Sequence, residues 1–271
     1  MDSASFRPFP LHLRRLGDPP LLGVVPHRRR RSVETTSHGA SHHGSLLGNV
    51  TQPSFQWSEI RFLNGEGLIE KTRRRLPHWQ QDGKTFFVTF RLNDSVPVHV
   101  LNSWREEKQR WLEIHPKPWP ADTEMEYQRV FSGTMDRYLD QGFGSCRLAR
   151  PDHSATTASA IHYFDGSRYV MHAFVIMPNH VHVLLSLMDD HRIAEVVGSW
   201  KRFTATVINK TEGTLGAVWM EDHFDRLIRD WDHFINVCRY IDRNPGKAKL
   251  PEGHFATYEA PWVRRLMGRT G

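Results

Sequence analysis

A chain of 271 residues with 39% hydrophobic content can bury one large core or two small ones. Two cysteines, Cys146 and Cys238, without Cys-x-x-Cys spacing, argue against a disulfide scaffold and a thiolate zinc site and fit a reducing, cytoplasmic setting, while the lack of any run of about 18 apolar residues gives no support to a membrane span. The net charge of +6 falls entirely in residues 1–75, where 12 Lys and Arg face 6 Asp and Glu, so nucleic-acid affinity elsewhere must come from local patches.

Residues 1–75 read as a largely disordered basic leader. They contain Pro19-Pro20, the run Arg28 to Arg31 and a Ser/His/Gly-rich stretch, with no sustained apolar period. An Arg-rich, acid-poor start also resembles an organellar transit peptide, and the basic run could act as a mobile arm on nucleic acid.

An ordered domain is expected over residues 76–250. Its first strand is the β-branched and aromatic run Lys84 to Leu92. Helical spacing of Leu101, Trp104, Trp111 and Leu112 predicts a helix over 98–115, and Tyr127, Val130, Phe131, Met135 and Leu139 predict a second over 122–139. Together they form a helical insert, about 95–142, ended by Gly142 and Gly144. A third helix begins at Asp152, read as its N-cap, and runs to Tyr163. Apolar strands follow over 168–177 and 180–187, joined by the turn pair Pro178-Asn179. A helix over 193–209, short strands within 216–228, and a last helix capped by Asp230 or Asp232 and stopped by Pro245 complete the domain. Residues 251–271 read as a tail. This order predicts an α+β fold: a ferredoxin-like antiparallel sheet with helices packed on it and a helical insertion after the first strand.

Chemistry concentrates at two places. His180 and His182 are two apart on a strand, so both imidazoles point to one side of the sheet. Such a pair is half of a metal site, or simply the wet face of a strand. Tyr240 and Asn244, four apart on the last helix, share a face one turn from each other. The phenol is a candidate nucleophile if a metal draws charge from the group it attacks, and otherwise an amphipathic core residue, with Asn244 a C-cap.

The run Met177-Pro178-Asn179-His180-Val181-His182, followed by Tyr240-Ile241-x-x-Asn244-Pro245-x-Lys247-Ala248, resembles the HUH single-tyrosine transposases of the IS200-like superfamily, and among them the REP-associated tyrosine transposases. Supporting segments are Phe87 to Leu92, Arg168-Tyr169, Ser199 to Ala205 and Trp219 to Arg229, so the likeness spans about residues 76–250. The resemblance implies that His180, His182 and Asn244 hold a divalent metal, Mg²⁺ or Mn²⁺, with zinc the rival ion. It implies that Tyr240 attacks a DNA phosphodiester to give a 5′-phosphotyrosine and a free 3′-OH, cleaving and rejoining single-stranded DNA at hairpins. A domesticated, catalytically silent hairpin binder is the alternative. The expected partner is single-stranded or hairpin DNA and not a membrane, with homodimer and monomer both open. Lys201, Arg202, Arg239, Arg243 and Lys247 are candidate phosphate contacts, or equally a solvated helix face. Trp200, Trp219, Trp231 and Trp262 could stack on bases or fill the core.

Overall fold

A computed structural model describes residues 60–63, 70–73, 77–80, 83–116 and 119–269. The chain divides into units 1–55 and 56–271, and all described residues belong to the second. The expected disordered leader, with its transit-peptide and mobile-arm readings, therefore lies outside the described residues as far as residue 59. Within the rest of the expected leader, the Arg61 carbonyl accepts from the Thr85 amide (3.0 Å) and the Leu63 amide donates to the Ile228 carbonyl (2.9 Å).

A small hairpin, β1 (Glu70–Arg73) and β2 (Pro77–Gln80), precedes the main sheet. The first main strand, β3 (Thr85–Arg91), leads into an insertion: α1 (Val98–Ile114), α2 (Ala121–Tyr127), a π-turn over Gln128–Ser132 and α3 (Gly133–Leu139). Next come α4 (Pro151–His162), β4 (Tyr169–Ile176), β5 (His180–Leu187), α5 (Ile193–Glu212), β6 (Phe224–Leu227), α6 (Trp231–Lys247), β7 (Ala256–Glu259) and α7 (Pro261–Leu266). Every pairing in the five-stranded sheet is antiparallel, and its order is β6-β3-β5-β4-β7. Setting β7 aside, the four main strands run fourth, first, third, second, which is the ferredoxin-like arrangement with its insertion after the first strand, as expected.

Strand alternation gives the sheet two unlike faces. Val181, Val183, Leu185 and Leu187 of β5 join Phe86, Val88 and Phe90 of β3 in one apolar cluster with Ile161 of α4 and Val196, Val197, Trp200 and Ile208 of α5. One buried polar chain crosses this layer: the Trp200 indole donates to the Tyr169 hydroxyl (3.1 Å), which donates to the Ile161 carbonyl (2.6 Å). The intervening residues His180, His182, Leu184 and Ser186 point to the other face, where α6 packs on β4 and β5.

The structure departs from the sequence reading at five places. The expected second helix contains a π-turn, and its buried stripe, Phe131, Met135 and Leu139, steps strictly by four. Asp152 does not cap α4. Pro151 takes the first helical position, Arg150 stands at the N-cap, and the Asp152 carboxylate accepts two bonds from the Arg150 guanidinium (3.2 and 2.9 Å). Pro245 does not stop α6, which continues to Lys247. So close to the helix end the ring removes a single backbone hydrogen bond, and the Ala248 and Leu250 amides still donate to the Asn244 and Pro245 carbonyls. The stretch expected as a tail supplies β7, which pairs with β4 from Ala256 to Glu259. Within 216–228 only β6 is a strand, and Trp219 forms an isolated bridge to Leu92.

Candidate active site

The two histidines of β5 are fully buried, and their outer nitrogens are held in different ways. The Asn179 amide donates to the carbonyls of Leu139 and Phe143 (both 3.1 Å), which leaves its oxygen to face His180 Nδ1 at 2.7 Å. An amide oxygen only accepts, so Nδ1 of His180 carries the proton and Nε2 keeps a free lone pair. That Nε2 is buried without a hydrogen-bond partner. His182 Nδ1 lies 2.7 Å from the Thr89 hydroxyl, its cross-strand neighbour on β3. The two rings approach edge to face at 4.7 Å.

Helix α6 lays its chemistry over that pair. Asp230 caps it by accepting from the His233 amide at 2.7 Å, and Phe234, Val237, Cys238 and Ile241 bury one stripe. The Tyr240 hydroxyl thereby comes 3.4 Å from His182 Nε2, and its ring stands edge-on to His182 (5.2 Å) and Phe87 (5.8 Å). One turn on, Asn244 is 1% exposed, and both its amide oxygen and its nitrogen lack hydrogen bonds. Buried polar atoms without partners cost roughly 1–3 kcal/mol each, so three of them around one tyrosine mark a place built for something other than stability.

Burial sets the electrostatics. It lowers His180 to about 3 and His182 well below its ordinary value, with Lys247 adding to both and His180 to His182. Both imidazoles are thus neutral, the state a metal ligand requires. Burial also drives the Tyr240 phenol above its ordinary value, and the Asp136 carboxylate adds to this while Asn244 opposes it. Asp136 belongs to α3 of the insertion. Four residues on, Asp140 pairs with Lys247 at 2.7 Å, and Lys247 Nζ sits 6.0 Å from the centre of the Tyr240 ring.

His180, His182, Tyr240 and Asn244 are therefore brought together. The candidate phosphate contacts are not. Arg239, Arg243 and Lys247 lie exposed on α6, with Lys247 nearest the site. Lys201 and Arg202 are on α5, across the sheet. The Lys201 ammonium donates to the carbonyls of Met220, Glu221 and Asp222 (3.0, 3.1 and 2.9 Å), so it orders that loop and has no donor left for a phosphate. Trp200, Trp219 and Trp262 are buried in the fold, and Trp231 alone of the four is exposed, at 37%.

Sequence reading missed Thr89, Asn179 and Asp136. The first two stand beside the histidines, across the strand and before them in the chain, so register and adjacency were the available signals. Asp136 lies more than a hundred residues from Tyr240, and nothing in its own helix announced it.

Among the described residues no three His, Cys, Asp or Glu side chains gather as a metal group. An ion here would depend on the Asn244 amide as third donor. The donors fit that use: a lone pair on His180 Nε2 and an orphaned amide oxygen, both buried and both without other partners.

Residues 153–244 match the family described as Transposase IS200 like, a stretch that holds His180, His182, Tyr240 and Asn244. Comparison with curated proteins gave no match. A solved structure of a REP-associated tyrosine transposase bound to a REP hairpin is similar at 14% identity, covering 66% of this chain and 73% of the other, with a TM-score of 0.32.

Proposed function

We propose that this chain is an IS200-like transposase, the family whose model matches residues 153–244, and that it is a metal-dependent, single-strand DNA transposase that cleaves and rejoins DNA at hairpin sequences through Tyr240. The observation that carries this reading is the meeting of the Tyr240 hydroxyl with His182 Nε2 at 3.4 Å, beside the partnerless His180 Nε2 and Asn244 amide.

In this reading His180, His182 and Asn244 would hold Mg²⁺ or Mn²⁺, which when bound supplies Lewis-acid polarisation of the scissile phosphate. Thr89 and Asn179 fix the ring orientations, as outer hydrogen bonds to metal-bound histidines do. The Tyr240 oxygen attacks phosphorus in line, the 3′ oxygen departs, and a 5′-phosphotyrosine keeps the phosphodiester energy for rejoining. Arg239, Arg243 and Lys247 flank the nucleophile on α6 and would hold the backbone on either side of it. The partner is single-stranded or hairpin DNA.

The test is formation of a detergent-resistant adduct between the purified chain and a pool of hairpin oligonucleotides with randomised single-stranded flanks, in Mg²⁺ or Mn²⁺. Wild type is expected to form it and Tyr240→Phe to lose it while still binding the pool. Binding without any adduct would identify a silent hairpin binder, and an adduct that survives in Tyr240→Phe would assign the nucleophile elsewhere.

A further inference from the structure

The residues that would hold the metal are closed to solvent: His180, His182 and Asn244 are each 1% exposed or less. A DNA strand therefore meets the site through its partly exposed members, and two of these stand side by side. One is Tyr240, on α6. The other is Phe87, the one residue of β3 that is not buried.

Alternation turns Phe87 toward the site. Phe86, Val88 and Phe90 join the apolar layer under α4 and α5, so Thr85, Phe87 and Thr89 point to the face of the histidines. The Phe87 ring lies nearly parallel to His182, at 19° with centroids 5.4 Å apart, and stands edge-on to Tyr240, at 88° and 5.8 Å. Thr89 holds the His182 ring and the buried stripe of α6 sets Tyr240, so both neighbours are fixed in place. Helix α6 packs on β4 and β5, while the insertion core reaches β6 through the contact of Trp104 with Phe224 (6.1 Å). Strand β3 runs between β6 and β5, and Phe87 keeps part of its surface open there.

We propose, resting on the function above, that Phe87 is the platform on which an unpaired base stacks, the base of a nucleotide joined to the scissile phosphate. An aromatic surface open to water gains by being covered, and a flat π face accepts any of the four bases. The cross-strand neighbours of Phe87 are Leu184 on β5 and Arg226 on β6. Arg226 rises from the same face one strand away, and a cation there suits the backbone of the stacked nucleotide. Because the Phe87 and Tyr240 rings touch, a phosphorus at the Tyr240 hydroxyl and a base on Phe87 belong to one nucleotide step. A base inside a hairpin stem has both faces covered by its neighbours, so the platform takes its base from the single-stranded flank. None of the four tryptophans considered for stacking fills this place: Trp200, Trp219 and Trp262 are buried, and Trp231 packs on Phe234 at 5.5 Å. Stacking on Phe87 fixes the rotation of the strand about its backbone and so presents the phosphate to the Tyr240 oxygen in line.

The test takes one member of the hairpin pool that wild type cuts and reads the cleaved position from its two products. That oligonucleotide is remade with an abasic residue, or with fluorescent 2-aminopurine, at the nucleotide on either side of the cleaved position. Tyr240→Phe in the full chain holds it uncut. In that chain an abasic residue at one or both positions is expected to weaken binding by about tenfold, and 2-aminopurine there to be quenched on binding. Adding Phe87→Leu is expected to shrink the abasic penalty to less than about twofold and to remove the quenching. A role for Phe87 in packing alone would lower affinity for the intact and abasic oligonucleotides equally. That equal loss overturns the proposal, as does full affinity for both abasic oligonucleotides, and either result leaves the transposase reading standing. If Phe87→Leu does not fold, Phe87→Met replaces it with the same expectations. No adduct from wild type overturns both readings.

Discussion

One strand, β5, shows two opposite solutions on its two faces. Val181, Val183 and Leu185 lie on the side of α4 and α5 in a continuous apolar layer, crossed by the paired Trp200–Tyr169–Ile161 chain. His180 and His182, one residue out of phase, lie under α6, where His180 Nε2 and both polar atoms of the Asn244 amide have no hydrogen-bond partner. Both faces are equally dry. The difference is that the β5 side chains of one face are wholly apolar and those of the other carry imidazoles beside an unsatisfied amide, which separates a structural interior from a candidate site.

The largest effect should come from the satisfied face and should fall on stability alone. Leu185→Ala removes a fully buried side chain from the cluster under α4 and α5 and is expected to cost about 2–5 kcal/mol in urea unfolding. Adduct yield per folded molecule should stay at the wild-type level. A loss of yield beyond the loss of folded protein would mean that the two faces are coupled.

On the other face the sign should reverse. Asn244→Leu replaces an orphaned amide with an apolar group of similar size, so the metal-free chain is expected to gain roughly 1–3 kcal/mol. The same variant should lose the extra stability that Mn²⁺ gives wild type and most of its adduct. Destabilisation by Asn244→Leu in the absence of metal would show that the amide has a partner in solution, and the contrast between the faces would fail.

These contrasts rest on facts of unequal visibility in the sequence. Two-residue alternation in β5 and four-residue spacing in α6 were enough to place His180 with His182 and Tyr240 with Asn244, because each pattern is local. The order of elements likewise gave the ferredoxin-like sheet. What escaped was everything decided by a distant partner. The role of Lys201 changed because three carbonyls of the 220–222 loop close around it. Asp136 was invisible because its meaning comes from α6, and Pro245 misled because a proline in a final turn removes only one bond. The edge strand β7 was missed because its half-exposed four residues carry little periodic signal.

The polar face should also be the acid-sensitive one. His172, whose Nε2 lies 2.7 Å from the Ser186 hydroxyl on that face, is lowered by burial to about 3. The unfolded chain takes up this proton near pH 6.5 and the folded chain only near 3. Stability from His172 is therefore complete above pH 6.5 and declines as the pH falls through the window between those values. At pH 5 the loss from this one residue is about 2 kcal/mol. Urea midpoints at pH 7.5 and pH 5 should show a drop that is smaller by about that amount in His172→Gln. An unchanged drop would place the acid sensitivity elsewhere.

The smallest effect should still distinguish the faces, through DNA held outside them. Arg243 is exposed on α6 one residue before Asn244, and Arg202 is exposed on α5, behind the sheet from Tyr240. If the backbone of a bound strand runs past Tyr240, removing the first charge removes one phosphate contact and removing the second removes none. Arg243→Ala should weaken hairpin binding a few-fold and reduce the salt slope of the affinity by about 1, with cleavage of the bound strand little changed. Arg202→Ala should leave both affinity and slope at wild-type values. The comparison is informative because the two residues have the same charge, similar exposure and helical surroundings, and differ in the face they border. Equal losses from the two would mean that DNA wraps the sheet edge and reads both sides, so that the division seen within β5 stops at the protein surface.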